Sequence, residues 1–91
     1  MKSYTTKRFR KALEQLPEDV RKQARKTYKV FIQNPYHPSL RFKQIHSKKH
    51  IYAVRINIDY RAVGVRNGDE IVWFWIGPHG ECERILSQIA G

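Results

Sequence analysis

The sequence predicts an α+β domain in which an N-terminal two-helix hairpin packs on one face of a small, mainly antiparallel β-sheet, with a short C-terminal helix. Apolar residues recur at helical spacing in the first third of the chain. Residues 51–76 instead alternate apolar and polar side chains or run continuously apolar. Helical spacing returns after Gly77. Because 91 residues suffice for one such core and not for two, we expect a single domain over 1–91.

The N-terminal segment predicts an edge strand followed by two helices. Met1–Tyr4 is the candidate strand, and Thr5 or Thr6 then caps the first helix. The apolar residues of that helix fall at i, i+3, i+4 and i+7, namely Phe9, Ala12, Leu13 and Leu16. Pro17 ends this helix and suits the first turn of a second one, which runs to about Gln33. The two helices therefore form an antiparallel hairpin with almost no connecting loop.

The second helix is amphipathic and has a strongly basic outer face. Its apolar stripe consists of Val20, Ala24, Tyr28 and Phe31/Ile32. Its other face carries Arg21, Lys22, Arg25, Lys26 and Lys29. A solvated surface and a surface that binds RNA phosphates need the same charge, so both interpretations stay open.

A connecting region separates this helix from the sheet that follows. The prolines in Asn34–Pro38 resist the α conformation and end the helix. Leu40–Ile45 is a short strand candidate, with Lys43 in its middle. The basic loop His46-Ser47-Lys48-Lys49-His50 then leads into the next strand and should border the face of the sheet.

Residues 51–76 predict three consecutive strands: Ile51–Ile58, Tyr60–Arg66 and Ile71–Ile76. Asn67-Gly68 is a hairpin signal between the last two, because both residues tolerate a positive φ. The third strand is apolar on both faces, as is typical of a strand covered on both sides. Its Trp73, Phe74 and Trp75 are therefore expected in the core.

Two arginines interrupt this apolar region, and we expect both to point away from the helical hairpin. The alternation of the first strand places Arg55 on the open face of the sheet. Arg61 joins it there if Tyr60 and Ala62 point toward the helices. A guanidinium fixed on a paired strand is an unusual feature unless an anion binds to it.

The last segment, Glu81–Ala90, predicts a short amphipathic helix that covers one face of Ile71–Ile76. Its apolar residues at helical spacing are Cys82, Ile85, Leu86 and Ile89. Cys82, the single cysteine, is expected to be a buried small hydrophobe; it excludes an internal disulfide and a cysteine-based zinc site. No two of the histidines share a ligand spacing on one element, so we expect no metal and no other cofactor.

The charge is concentrated in one half of the chain. The formal net charge is +10, and residues 1–50 hold 14 Lys/Arg against 3 acids, whereas residues 51–91 hold 4 against 5. This excess indicates a polyanionic partner: nucleic acid, an acidic protein, or both. No apolar run approaches the length of a membrane span, and no signal-peptide pattern opens the chain, so we expect a cytoplasmic protein.

Several of these residues form a recognisable pattern over nearly the whole chain. Its parts are Thr6-Lys7-Arg8-Phe9, Leu16-Pro17, Tyr52-Ala53-Val54-Arg55-Ile56, Asp59-Tyr60-Arg61-Ala62-Val63 and Ile76-Gly77-Pro78-His79. In this order the sequence resembles the RelE/ParE superfamily of toxins from type II toxin–antitoxin pairs, most closely its RelE-like branch. The resemblance implies a metal-free endonuclease that cleaves messenger RNA in the ribosomal A site, neutralised by an antitoxin.

The resemblance also implies roles for particular residues. Arg61 matches the arginine that stabilises the transition state, Arg55 a basic position that grips the RNA backbone, and His79 a position suited to a general acid. Further phosphate contacts are expected from Lys43, His46, Lys48, Lys49 and His50, together with the basic face of the second helix.

Two departures from the pattern motivate other functions. Ala53 stands where some ribosome-dependent members carry a basic residue, and Glu81–Ala90 lacks the tyrosine that stacks on a base in some members. One alternative is a ParE-like inhibitor of DNA gyrase; another is a catalytically degenerate toxin homologue that only binds its antitoxin. Under each, we expect the antitoxin to be acidic and partly disordered.

Overall fold

The computed structural model describes residues 1–46 and 48–90, with the backbone alone at positions 89 and 90. The predicted α+β class is confirmed. In chain order the elements are β1 (Lys2–Thr5), α1 (Lys7–Glu14), α2 (Glu18–Gln33), a 3₁₀ helix (Pro38–Leu40), β2 (Lys43–His46), β3 (Ile51–Arg55), β4 (Tyr60–Asn67), β5 (Glu70–Pro78) and α3 (His79–Ala90).

The strands form one sheet in the order β1-β5-β4-β3-β2. The pairs from β5 to β2 are antiparallel, whereas β1 runs parallel to β5 at the edge, with Ser3 beside Ile71. The N-terminal strand was predicted as an edge strand, and it is one. The indole of Trp73 on β5 also donates a hydrogen bond of 2.9 Å to the Ser3 hydroxyl, which ties the two strands together.

The two faces of the sheet carry separate apolar clusters. On the face of α1 and α2, one cluster includes Phe9, Phe31, Leu40, Val54 and Trp73. On the opposite face, Cys82 of α3 packs with Ile51, Ala53 and Val63. Strand β5 contributes Trp73 to the first cluster and Phe74 and Trp75, both half-buried, to the edge of the second, so the prediction that it is covered on both sides is confirmed except at Val72, which is 38% exposed. Cys82 is buried as expected. The side chain of Ile89, also predicted to lie on this stripe, is outside the described side chains.

The first predicted strand of the meander is too long by three residues. It ends at Arg55, because the Asn57 Oδ1 accepts hydrogen bonds from the backbone N–H groups of Asp59 (2.7 Å) and Tyr60 (2.9 Å). This side-chain turn competes with strand pairing. Ile58, predicted in the strand, is 71% exposed at its tip.

The strand predicted over Leu40–Ile45 is shifted. Leu40 is buried, but it ends the 3₁₀ helix, and Arg41 follows in the left-handed conformation with φ 47°. Such a residue cannot continue a strand, so β2 begins only at Lys43.

The hairpin turn also differs by one residue. Asn67 pairs with Glu70, which leaves Gly68 and Asp69 as the loop, and only Gly68 has a positive φ. A glycine with positive φ at the first loop position is the feature of a type II′ turn.

The helix termini follow local hydrogen bonding. Thr6 caps α1 by accepting a hydrogen bond of 3.1 Å from the backbone N–H of Phe9. Helix α3 begins two residues earlier than predicted, at His79, whose backbone N–H donates to the carbonyl of Asp59 at 2.6 Å. This bond fixes the start of α3 against the turn before β4.

No helix in the described part of the chain has the length and apolar character needed to cross a membrane.

Candidate anion-binding groove

A groove of about 490 Å³ opens on the face of the sheet that carries α3. Its floor is formed by strand residues and its wall by the first turns of α3. The charged or titratable residues that line it are Arg41, Lys43, Arg61, His79, Cys82 and Glu83, and the remaining lining residues are Ile45, Ala53, Gly80 and Leu86. We call it the α3 groove.

Arg61 lies at the start of β4 and is half-buried. Its Nη1 donates hydrogen bonds to the carbonyls of Asn57 (2.7 Å) and Tyr60 (3.1 Å), so the turn between β3 and β4 holds the guanidinium in place. Burial lowers the pKa of Arg61, and the positive charges of Arg55 and Arg41 lower it further, whereas Cys82 acts in the opposite direction. A guanidinium crowded by like charge gains when an anion binds beside it.

Arg55 is the direct neighbour of Arg61 across the sheet. The two residues are register partners in the antiparallel β3–β4 pair, so their side chains lie on the same face. The expected placement of both arginines away from the helical hairpin is therefore confirmed. Arg55 is half-buried and lies outside the lining of the α3 groove, at its Arg61 end.

His79 and Lys43 reach the α3 groove from two other elements. His79 is the first residue of α3, and its side chain is exposed on the wall of the groove. Lys43 is the first residue of β2 and also lines the groove. Of the predicted site residues, the structure thus brings Arg61, His79 and Lys43 to one groove, with Arg55 beside it.

The described residues of the basic loop after β2, His46, Lys48, Lys49 and His50, do not line the α3 groove. His50 has a φ of 51°, and its carbonyl accepts a hydrogen bond of 3.0 Å from the backbone N–H of Arg66, at the end of β3 distant from Arg55. The Nδ1 of His46 accepts a hydrogen bond from the backbone N–H of Lys49 at 3.2 Å. Lys48 is exposed. RNA contacts by these four residues stay a prediction.

The basic residues of α2 lie on the other side of the sheet. Arg25 and Lys29 line an apolar cavity of about 420 Å³ between the helical hairpin and the sheet. Arg21 donates to the carbonyl of Glu14 at 3.2 Å, and Lys22 pairs with Glu18 at 3.7 Å. Lys26 is exposed. The α2 cations and the α3 groove are thus separated by the sheet, and a role of these cations in RNA binding stays a prediction.

Two charged residues of the α3 groove were not among the predicted site residues. Arg41 reaches it because its left-handed conformation follows the 3₁₀ helix, and no local sequence signal announces that conformation at an arginine. Glu83 reaches it because it follows His79 by four residues on one helix, a spacing that places two side chains on the same face. The four-residue spacing of His79 and Glu83 is visible in the sequence and could have identified Glu83.

The α3 groove combines three cations, an imidazole and a carboxylate over an apolar floor. Cations held on paired backbone can bind a phosphate, and an imidazole beside them can transfer a proton. Within residues 1–46 and 48–90, no three histidine, cysteine or carboxylate side chains form a cluster able to hold a metal ion.

Comparisons with known proteins agree with this fold. A family model described as the ParE-like toxin domain matches residues 18–88. The RelB–RelE antitoxin–toxin complex from Methanococcus jannaschii contains a similar chain, with a TM-score of 0.72, 20% identity, and coverage of 90% of this chain and 96% of that one. The archaeal RelE–RelB complex from Pyrococcus horikoshii OT3 also contains a similar chain, with a TM-score of 0.69, 19% identity, and coverage of 89% of this chain and 97% of that one.

YafQ from Escherichia coli is also similar, with a TM-score of 0.68, 11% identity, and coverage of 86% of this chain and 92% of that chain. At these identities the solved structures show the fold alone. A comparison with curated proteins found no match. The family model covers most of the chain, including the whole α3 groove, and on that ground the chain belongs to the ParE-like toxin domain family, within the RelE/ParE superfamily of toxins.

Proposed function

We propose that this protein is the toxin of a type II toxin–antitoxin pair and that it cleaves messenger RNA on the ribosome without a metal ion. The observation that carries the proposal is the pair of arginines, Arg55 and Arg61, on one face of the sheet beside His79. The net charge of +10 suits a protein that acts on RNA in the cytoplasm.

The chemistry of such a cleavage fits these groups. The ribose 2′-oxygen attacks the adjacent phosphorus, the 5′-oxygen leaves, and negative charge builds up on the phosphate oxygens in between. Arg61 would stabilise that charge, since its guanidinium is already held by two backbone carbonyls. His79, exposed on the wall of the groove, would protonate the leaving oxygen. Arg55 and Lys43 would hold the RNA backbone.

Primer extension on messenger RNA from cells that express the chain alone tests this proposal. We expect growth arrest and new messenger ends within codons. Arg61→Ala should reduce cleavage by roughly 10²–10³-fold, the usual effect of losing one group that stabilises transition-state charge. Arg84→Ala is the matched control, because Arg84 is an exposed arginine on α3 that lies outside the groove and pairs with Glu81. Cleavage by Arg61→Ala at the wild-type rate would refute the assignment of Arg61.

A second candidate function is inhibition of DNA gyrase. The matching family model is described as ParE-like, and Ala53, which is 5% exposed, places no charge on the floor of the groove. This function predicts that the purified chain inhibits supercoiling by gyrase while messenger RNA in expressing cells stays intact. New messenger ends with unaffected gyrase activity would exclude it.

We also propose that the protein binds an acidic, partly disordered antitoxin. Two of the similar structures are complexes of a RelE with a RelB. The charge of this chain, with 14 Lys/Arg against 3 acids in residues 1–50, offers an acidic segment a large complementary surface.

A further inference from the structure

We propose that Glu83 is the base that removes the proton from the attacking 2′-hydroxyl. This inference depends on the endonuclease function proposed above and assigns the proton acceptor that the proposed function leaves unnamed. Glu83 is the single carboxylate among the described residues that line the α3 groove.

Glu83 and His79 form a pair on one helix face. They are four residues apart on α3, so their side chains lie one turn from each other, and both line the α3 groove. Arg61 lines the same groove from β4. A phosphate bound at Arg61 would therefore lie between the sheet and the two titratable side chains of α3.

The Glu83 carboxylate is free to accept a proton. Within residues 1–46 and 48–90 it makes no ion pair or hydrogen bond, although three cations line the same groove. Glu81, on the same helix, differs in its pairing and in its position: its carboxylate pairs with Arg84 at 3.7 Å, and it lies outside the groove. A carboxylate without a partner, in a groove lined by three cations of which Arg61 is half-buried, is an arrangement typical of a functional group.

The proposed step balances without any further reactant. The 2′-oxygen forms a bond to phosphorus while its proton moves to the Glu83 carboxylate. The bond between phosphorus and the 5′-oxygen breaks, and the imidazolium of His79 gives its proton to that oxygen. The products are a 2′,3′-cyclic phosphate and a 5′-hydroxyl, and both side chains then exchange protons with solvent. The charged and titratable groups that line the groove together with Glu83 are Arg41, Lys43, Arg61, His79 and Cys82.

The experiment measures the rate of single-turnover cleavage of ribosome-bound messenger RNA by the full chain at a series of pH values. The variants are Glu83→Gln, Glu83→Ala and, as a matched control, Glu81→Gln. Glu83 is exposed on α3, so none of these changes disturbs the core. We expect the wild-type rate to fall at acidic pH if a carboxylate is the base, and we expect Glu83→Gln to slow cleavage by about 10²–10⁴-fold and to abolish that fall. We expect added formate to restore part of the rate of Glu83→Ala, and Glu81→Gln to behave as wild type.

Each other outcome has a definite meaning. If Glu83→Gln is slow but keeps the pH profile of the wild type, Glu83 acts by its charge and is not the base. If it cleaves at the wild-type rate, the inference is wrong while the endonuclease function stands. If the wild-type chain itself produces no cleavage, the proposed function fails first, so the two failures are distinguishable.

Discussion

Arg55 and Arg61 are paired directly across β3 and β4, with both guanidinium groups on the face of the sheet that α3 covers in part. Like charges in directly opposed positions destabilise an antiparallel sheet. Burial is the larger cause of the lowered pKa of Arg61, and repulsion by Arg55 lowers it further. The fold therefore holds two cations together before any anion is present, and this is the arrangement that an anion-binding site requires.

Replacing one of these arginines should raise stability and lower function. We expect Arg55→Gln to increase the free energy of unfolding by a few tenths to about 1 kcal/mol, because it removes a like-charge pair. The same variant should bind RNA more weakly and cleave it more slowly. Urea denaturation and the cleavage assay measure the two effects, with Arg84→Gln as a control that changes the net charge equally. A variant that is both less stable and fully active would contradict this account of the pair.

The turn between β3 and β4 should set the position of Arg61. The Asn57 side chain accepts two backbone hydrogen bonds within the turn and donates one of 2.6 Å to the Oε1 of Gln23. The backbone carbonyl of Asn57 accepts a hydrogen bond from the Arg61 guanidinium. We expect Asn57→Ala to destabilise the fold by about 1–3 kcal/mol and to reduce cleavage as well. Gln23→Ala, which removes only the bond to α2, should change stability slightly and leave cleavage unchanged.

Gly64 should tolerate no side chain. The strand register shifts between Val63 and Gly64, and a Cβ atom at Gly64 would lie 2.9 Å from both Trp73 Cε3 and the carbonyl oxygen of Val72. We expect Gly64→Ala to cost about 1–3 kcal/mol, since both neighbours are packed in the sheet. Gly80→Ala is the contrast, because nothing lies within 4 Å of a Cβ there and alanine favours the helix. Thermal denaturation of the two variants should shift in opposite directions.

Cys82 should react slowly with alkylating reagents in the folded protein. Burial raises the pKa of its thiol, and the charge of Arg61 offsets this only in part. The raised pKa favours the thiol over the reactive thiolate. We therefore expect iodoacetamide labelling of Cys82 to become fast only at a higher pH than labelling of an exposed cysteine. The raised pKa also contributes to the free energy of unfolding. This contribution is fully present below the pKa of the thiol in the unfolded chain and is lost as the pH rises through the pKa of the thiol in the folded protein. Rapid labelling at neutral pH without denaturant would disprove the burial of this side chain.

Binding to an acidic antitoxin should weaken as salt increases. Exposed charges more than about 10 Å apart are screened at 0.1 M ionic strength. If complementary charge drives the association, its rate constant should therefore decrease as the salt concentration rises. Surface plasmon resonance at a series of salt concentrations measures this. Affinity that does not change with salt would show that apolar contacts dominate, for example in the cavity between the helical hairpin and the sheet.

The sequence predicted the parts of the site that depend on local periodicity. Alternation along β3 fixed the face of Arg55, and the short connection to β4 kept Arg61 on the same face. The helical spacing of His79 and Glu83 also indicates a shared face, although Glu83 was not predicted to act there.

The remaining features depend on long-range packing or on a single backbone conformation. An amphipathic helix such as α3 must cover apolar surface, but its sequence does not say which face of the sheet it covers. The position of α2 places Arg25 and Lys29 on the side of the sheet away from Arg61, as follows from the prediction that both sheet arginines point away from the helical hairpin, so the expected shared RNA surface is not seen. The left-handed Arg41 and the side-chain turn at Asn57 are single-residue conformations that propensity does not predict for these residue types in this context.

The parallel pairing of β1 with β5 determines when the sheet can form during synthesis of the chain. Thr5 pairs with Trp73, so the first strand leaves the ribosome well before its partner has been polymerised. Contacts of such long sequence separation form late and slow the folding of small domains. The sheet is therefore incomplete through most of translation, and the α3 groove exists only after the final helix has been added. The residues proposed to cleave RNA are consequently brought together only when synthesis of the chain is nearly finished.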